Sequence, residues 1–337
     1  MESNRVPEFS VKFRGIERHL GRALSMADTV VLGARDACPA GAAVSLGNGA
    51  GKPVLGRYQI RRKLGKGATG DVYLGKDRKT GRVVAVKILA LPPGSGGNEF
   101  KGAKERFFRE AETAGRLNHP GIVTILDAGE ERDLAYIAME FLKGRDLASC
   151  AGPGDLLPLP KVLSIAARVA EALDYAHSRG IVHRDVKPAN IMYEAGSDTV
   201  KVTDFGIAGI ADSSRAAGGT VVGTPCYMSP EQLSKRKVEG RSDLFSLGVT
   251  LYQLCCGHLP FRGSSMAQLM LQIANEPHTD ILDYKPALPG CVVDVVNKAL
   301  AKQPESRYQT GNEMALALRA CVAGSAPSES VPMAVNF

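Results

Sequence analysis

Tryptophan is absent from this sequence, and no aromatic cluster is interleaved with its basic residues. No run of five or more Lys or Arg occurs either, so the net charge of +7 does not point to nucleic acid as a partner. The seven cysteines are odd in number and none pairs with another as C-x-x-C, so neither a disulfide framework nor a zinc site is expected. The six histidines show no ligand spacing. This cysteine usage fits a reducing compartment, and a cytoplasmic location is expected. No apolar run reaches the roughly 18 residues that a membrane-spanning helix needs. The first residues include acids and lack a basic-then-apolar leader pattern. No internal repeat is visible. With 337 residues, 44% apolar and 23% charged, the chain can bury a core without disulfides.

The chain changes character near residue 57. Residues 1–57 read as an N-terminal extension, expected to be poorly ordered, with a short helix near Phe9–Leu24. It ends in a Gly-rich linker, Gly41-Ala-Ala-Val-Ser-Leu-Gly-Asn-Gly-Ala-Gly-Lys-Pro53. The Gly-x-Gly-Lys ending of that linker invites a phosphate-loop reading. It fails because the first Gly is misplaced and Pro53 stands where Ser or Thr should bind Mg²⁺. From Tyr58 the pattern tightens. Tyr58–Leu64, Asp71–Leu74 and Val83–Ile88 read as strands rich in β-branched and aromatic residues, with a hairpin signal at Thr80-Gly81. A linker, Pro92-Pro-Gly-Ser-Gly-Gly97, is followed by a helix over Lys104–Leu117 and strands over Ile122–Ala128 and Leu134–Met139. Beyond Lys143 the apolar spacing of Val162, Ile165, Val169, Leu173 and Ala176 predicts a helix closed by Gly180. Short strands are expected at Ile181-Val182, Ile191-Met192 and Val200–Val202, with helices beyond Leu244 and a loose tail over 322–337.

Three segments carry chemistry. The first is Leu64-Gly-Lys-Gly-Ala-Thr-Gly-Asp-Val72, in which Gly65, Gly67 and Gly70 form G-x-G-x-x-G. Glycine lets backbone N–H groups approach phosphate oxygens without a side chain in the way. A dinucleotide fold would open a helix after the third Gly, whereas here a strand continues, which makes the loop a hairpin flap. Second is Val84-Ala-Val-Lys87, whose lysine, one hairpin on, can reach phosphates. Glu110, in the following helix, is the best carboxylate to hold it. The third is His183-Arg-Asp-Val-Lys-Pro-Ala-Asn190 together with Asp204-Phe-Gly206. Asp185 can accept a hydrogen bond from a hydroxyl and aim it at phosphorus. Lys187 can neutralise charge on a transferring phosphoryl group. Asn190 and Asp204 offer oxygens to Mg²⁺.

These segments, in this order, resemble the signature set of the eukaryotic-like Ser/Thr protein kinases of bacteria, and the likeness runs from Tyr58 to Cys321. It implies an α+β, bilobal fold: a small antiparallel N-lobe sheet with one main helix (58–142) and a larger, mostly helical C-lobe (143–321). It implies transfer of the γ-phosphoryl group of ATP, with Mg²⁺, to protein Ser or Thr. Catalytic roles fall to Asp185, Lys187, Lys87, Glu110, Asn190 and Asp204, the last two as metal ligands. Nucleotide contacts fall to the flap residues Leu64, Gly65, Lys66, Gly67, Ala68, Thr69, Gly70, Asp71 and Val72. Ala85 and Met192 would sandwich adenine with Val72, Met139 would be the gatekeeper, and Glu140–Leu142 the hinge.

The same resemblance makes Gly223–Glu231 the substrate-docking loop, with Thr224 bridging Asp185 and Lys187. Glu231 would pair with Arg307, Asp243 would cap the catalytic-loop backbone, and His183 would pack beneath Phe205. Lys187 and Thr224 match Ser/Thr rather than Tyr kinases, which place an Arg further along the loop. Departures are Ala68-Thr69 at the flap tip in place of a bulky aromatic, Gly209 in place of Arg, and Ser229 in place of Ala. Arg184 suggests an activation-loop phosphate, with autophosphorylation at Thr220 and Ser213 or Ser214 as alternatives. Cys226 is expected to be exposed. Partners implied are protein substrates and a second copy through the N-lobe. Thr29 is weighed as a site for a phosphothreonine-binding partner and judged weaker than an unmodified residue. The alternative function is a catalytically weak ATP-binding scaffold. A kinase of small molecules is disfavoured by the intact docking loop.

Overall fold

The computed structural model describes residues 53–67, 70–89, 98–131, 134–205, 225–234 and 236–324, without the side chains of 66–67, 98–103, 106 and 110. Thus Ala68, Thr69, Gly209, Ser213, Ser214, Thr220, Thr224, the 92–97 linker, residues 1–52 of the N-terminal extension and the Glu110 side chain lie outside the described residues.

The N-lobe is one six-stranded antiparallel sheet built from β1 (Val54–Leu55), β2 (Tyr58–Gly67), β3 (Gly70–Asp77), β4 (Val83–Leu89), β5 (Ile125–Glu131) and β6 (Leu134–Glu140), in the order β1-β2-β3-β4-β6-β5. Helix α1 (Asn98–Gly115) covers one face. The period-two pattern of β4 decides which face is which. Val84, Val86 and Ile88 join Tyr58, Ile60 and Tyr136 in one cluster. Ala85 and Lys87 point the other way and pair in register with Met139 and Ile137 of β6. Phe107 and Ala111, one turn apart on α1, pack on Ile137 from that side. The helix starts earlier and β5 starts later than the sequence pattern suggested, because helix and strand ends are set by tertiary packing.

The flap between β2 and β3 needs its third glycine. Gly70 has φ +148, and a Cβ there would lie 2.1 Å from the Ile88 carbonyl oxygen of β4. That oxygen is backbone and cannot swing aside. Gly70→Ala is therefore expected to cost about 1–3 kcal/mol through forced backbone conformation and displacement of β4. A fall in the urea midpoint without change in slope would register it.

The C-lobe is built on α2 (Leu159–His177) and α4 (Gly240–Cys256), both largely buried. A small sheet, β7 (Arg145–Asp146), β8 (Ile191–Glu194) and β9 (Thr199–Val202), lies at the top of this lobe. One-turn α3 (Pro230–Leu233), α5 (Met266–Asn275), α6 (Gly290–Ala299) and α7 (Gly311–Gly324) complete it. Gly180, at φ +72, closes α2. Ile181 N–H donates back to Ala176 O at 3.0 Å and Gly180 N–H to His177 O at 2.9 Å, the paired bonds of a left-handed cap. Ile181-Val182 is consequently not a strand, contrary to the β-branched pattern: the helix cap already engages the Ile181 N–H. Helix α4 is apolar nearly all round because it runs through the lobe's centre. Among the described residues no helix is long and apolar enough to cross a membrane.

Candidate active site

Strand β4 carries Lys87 into the space between the lobes, where its side chain is 3% exposed. Its ammonium donates to Asp204 Oδ1 at 2.9 Å across 117 residues of sequence. Burial works against charge on Asp204, but Lys87 outweighs it and holds the carboxyl below its usual range. A cavity of about 10 Å³, room for one water, is walled by Lys87, Asp204, Phe205, Ile137 and Met139. Lys87 and Met139 thus border one small space.

Asp204 reaches this position through strained backbone: its φ is +61, and Arg184 is likewise at +68. Both conformations are held from outside. Thr203 N–H and Oγ1–H both donate to Asn190 O, at 2.9 and 3.2 Å, tying the strand end before Asp204 to the catalytic loop. The Asn190 amide nitrogen donates to the Asp185 carbonyl at 2.8 Å and to Asp185 Oδ2 at 2.9 Å. Its nitrogen is thereby engaged by the protein, and the amide oxygen is the atom chemically able to take a cation. Lys187 Nζ lies 2.8 Å from Asp185 Oδ2. Asp185, Lys187 and Asn190 therefore form one cluster, joined by an ion pair and by the Asn190 hydrogen bonds.

A buried polar platform fixes this loop from below. Asp243, in the first turn of α4 and fully buried, accepts from His183 N–H at 2.8 Å and Arg184 N–H at 2.7 Å. His177 of α2 approaches the same carboxylate at 2.7 Å. His183 Nε2–H donates to Thr203 O at 2.9 Å, while its Nδ1 accepts from Asp185 N–H at 3.2 Å. Its ring lies 4.5 Å from that of Phe205. The cap by Asp243 and the packing of His183 are as the resemblance implied. Gln232 was missed: its side-chain N–H donates to Arg184 O at 2.8 Å, and its Oε1 accepts from Ser229 N–H at 2.9 Å. The Ser-x-x-Gln spacing ahead of a short helix was the readable signal. Glu231 and Arg307 form a buried bidentate pair at 2.8 and 3.0 Å.

Val72 pairs with Lys87 and Ala85 with Met139, which lines these residues along one face of the sheet. Met192 sits on β8 below and is buried. Asp71 of the flap is engaged by Lys63 at 2.7 Å. Cys226 is a correction: it is buried rather than exposed, because it packs into the C-lobe core, and burial pushes its thiol pKa up.

The protein kinase domain family matches residues 58–317. The serine/threonine-protein kinase PknB of Mycobacterium tuberculosis is 41% identical over 268 residues, covering 77% of this chain and 42% of PknB. Curated relatives of this kind are matched over only 38 to 42% of their own length. The crystal structure of the Mycobacterium tuberculosis PknI kinase domain superposes with TM-score 0.63 at 32% identity, covering 81% of this chain and 99% of that one. A structure of Rad53 in complex with AMP-PNP gives TM-score 0.63 at 29% identity, covering 77% of this chain and 64% of that one.

Proposed function

The chain belongs to the protein kinase family, and from that premise we propose that it transfers the γ-phosphoryl group of Mg-ATP to Ser or Thr of protein substrates, itself included. The observation that carries this reading is the convergence of Lys87, Asp185, Lys187, Asn190 and Asp204, from β4, one loop and the end of β9, at the mouth of the interlobe cleft.

In this reading Asp185 accepts a hydrogen bond from the acceptor hydroxyl and orients it in line with the γ-phosphorus. Lys187, held beside Asp185, neutralises charge growing on the transferring group. Lys87 holds the α- and β-phosphates, itself steadied by Glu110. Asp204 and Asn190 present a carboxylate and an amide oxygen, a hard donor set that suits Mg²⁺ completed by substrate phosphates and water. When bound, the ion offsets negative charge on the phosphate oxygens. The flap from Leu64 to Val72 covers the phosphates. Val72, Ala85 and Met192 sandwich adenine, with Met139 as gatekeeper and Glu140–Leu142 as hinge. Lys187 and Thr224 support hydroxyl acceptors of the Ser/Thr type. Residues 58–321 form the catalytic unit, with protein substrates, an N-lobe pairing and a cytoplasmic setting as its expected context.

Thr220 is the expected autophosphorylation site, because Arg184 precedes the catalytic Asp185 and an added phosphate brings nearly two negative charges. Intact-mass analysis after incubation with Mg-ATP tests both statements. Phosphoryl increments are expected on the unaltered protein, none on Asp204→Asn, and slower substrate phosphorylation from Thr220→Ala. Full activity in Thr220→Ala would remove Thr220 from the account. An unaltered protein that binds ATP yet gains no phosphate would favour the weakly active scaffold.

A further inference from the structure

The signature motifs leave Lys201 without a role, yet it occupies a junction. It stands on β9, three residues before Asp204, directly across the ladder from Met192 on β8. Residues opposite one another share a sheet face. The Lys201 ammonium donates to Glu140 Oε1 at 2.6 Å, 61 residues away, and to Ile122 O at 3.2 Å. Glu140 is where β6 runs into the expected hinge. Its Oε1 also accepts from Thr124 N–H at 2.7 Å, and its own N–H donates to Thr124 O at 3.0 Å. Val202, the next residue on β9, is stitched to the same segment: its N–H donates to Gly121 O at 2.8 Å and its carbonyl accepts from Val123 N–H at 3.0 Å. A closed ring therefore joins the C-lobe strand leading to Asp204, the segment entering β5, and the hinge. Both side chains are mostly shielded, at 14% and 16% exposure.

We propose that Lys201 is a positioning residue for nucleotide binding: by fixing the Glu140 side chain, it sets the orientation of the hinge backbone relative to the adenine floor at Met192. It touches no reacting atom and acts through Glu140. Removing the ammonium leaves a half-buried carboxylate with a single neutral donor, a state relieved by turning the side chain toward water and taking the hinge backbone with it. The adenine contact loosens, while the Asp185 cluster, held separately by Asp243, keeps its geometry. Burial opposes charge on Glu140, yet its carboxyl is held below the usual range by the bonds from Lys201 and Thr124, consistent with a formed ion pair.

This inference rests on the kinase reading, and its test separates the two. Calorimetric Kd values for Mg-ATP and Mg-GTP, kcat on a generic protein substrate, and the thermal midpoint are measured for the unaltered protein, Lys201→Met and Lys201→Arg. Lys201→Met is expected to weaken ATP binding about 5- to 30-fold, less than the full loss of a hydrogen bond to a charged group because the effect reaches the nucleotide only through the hinge. The preference for ATP over GTP should narrow, kcat at saturating ATP should stay within about twofold, and Lys201→Arg should recover most of the loss. A lowered thermal midpoint with unchanged nucleotide Kd and preference would make Lys201 merely structural and overturn the proposal. So would a fall in kcat with Kd unchanged. If the unaltered protein binds neither nucleotide, the kinase reading itself falls, and this inference with it.

Discussion

Asp185→Asn is expected to lower kcat about 10²- to 10⁴-fold while leaving the Kd for Mg-ATP within about twofold. The substitution keeps the shape and removes the charge. Asp185 Oδ2 forms an ion pair with Lys187 at 2.8 Å and accepts from the Asn190 amide at 2.9 Å, so the carboxylate organises the residues around the transferred group. An amide at that position cannot take the hydroxyl proton or balance Lys187. The fold should survive, because the backbone of this loop is held by Asp243 and by the contact of Asp185 N–H with His183, neither of which uses the Asp185 side chain. Initial rates at saturating ATP, read beside calorimetric binding, check both halves. An unchanged kcat would place the base elsewhere.

Arg307→Ala carries the largest expected loss of stability, about 3–5 kcal/mol, the range for breaking a buried ion pair from one side. Arg307 is fully buried. Its guanidinium donates to both oxygens of Glu231, to Ala301 O at 2.7 Å, to Lys302 O at 2.8 Å and to Arg241 O at 3.3 Å. Truncation strands a buried anion and three carbonyls and opens a cavity over Phe245, whose ring faces the guanidinium. Against a typical total of about 5–15 kcal/mol this is a large fraction. The double change Glu231→Leu with Arg307→Met should cost less than Arg307→Ala alone, since no charge is left buried.

The pH dependence follows from Glu231. Burial opposes its charge, but the bonds from Arg307 and Ser242 hold its carboxyl below the usual range. Because the folded pKa is depressed, this contribution is complete above the usual carboxylate pKa and is lost as pH falls through the folded value. Without Arg307 the isolated carboxyl gains by taking a proton. The stability deficit of Arg307→Ala should therefore narrow as pH is lowered. Urea melts across acidic to neutral pH measure it.

The residues that do chemistry were legible because they are dense in local pattern. A flap of three glycines, a lysine on an alternating strand and a loop holding Asp185, Lys187 and Asn190 each constrain their neighbours in sequence. What joins them was not legible from residues alone. The Lys87–Asp204 and Glu231–Arg307 contacts span 117 and 76 residues, and the second was placed only by family resemblance. Nothing local announces Lys201 or the side chain of Glu140, because an isolated lysine on a short strand looks like any solvated one. The positive φ of Arg184 and Asp204 is imposed by tertiary bonds that no propensity encodes. Ile181-Val182 misled for the opposite reason: local β-branching was overridden by a helix cap. Cys226 misled because a loop position was taken for a surface one.

The activity proposed for this chain is phosphoryl transfer to hydroxyl side chains. Its most direct test is to incubate the purified unaltered protein with γ-labelled ATP, Mg²⁺ and a generic protein substrate, then hydrolyse the product and separate the phosphoamino acids. Label on phosphoserine and phosphothreonine that disappears when Mg²⁺ is chelated is the predicted result. Label confined to phosphotyrosine, or none on protein while ATP binds normally, would contradict it.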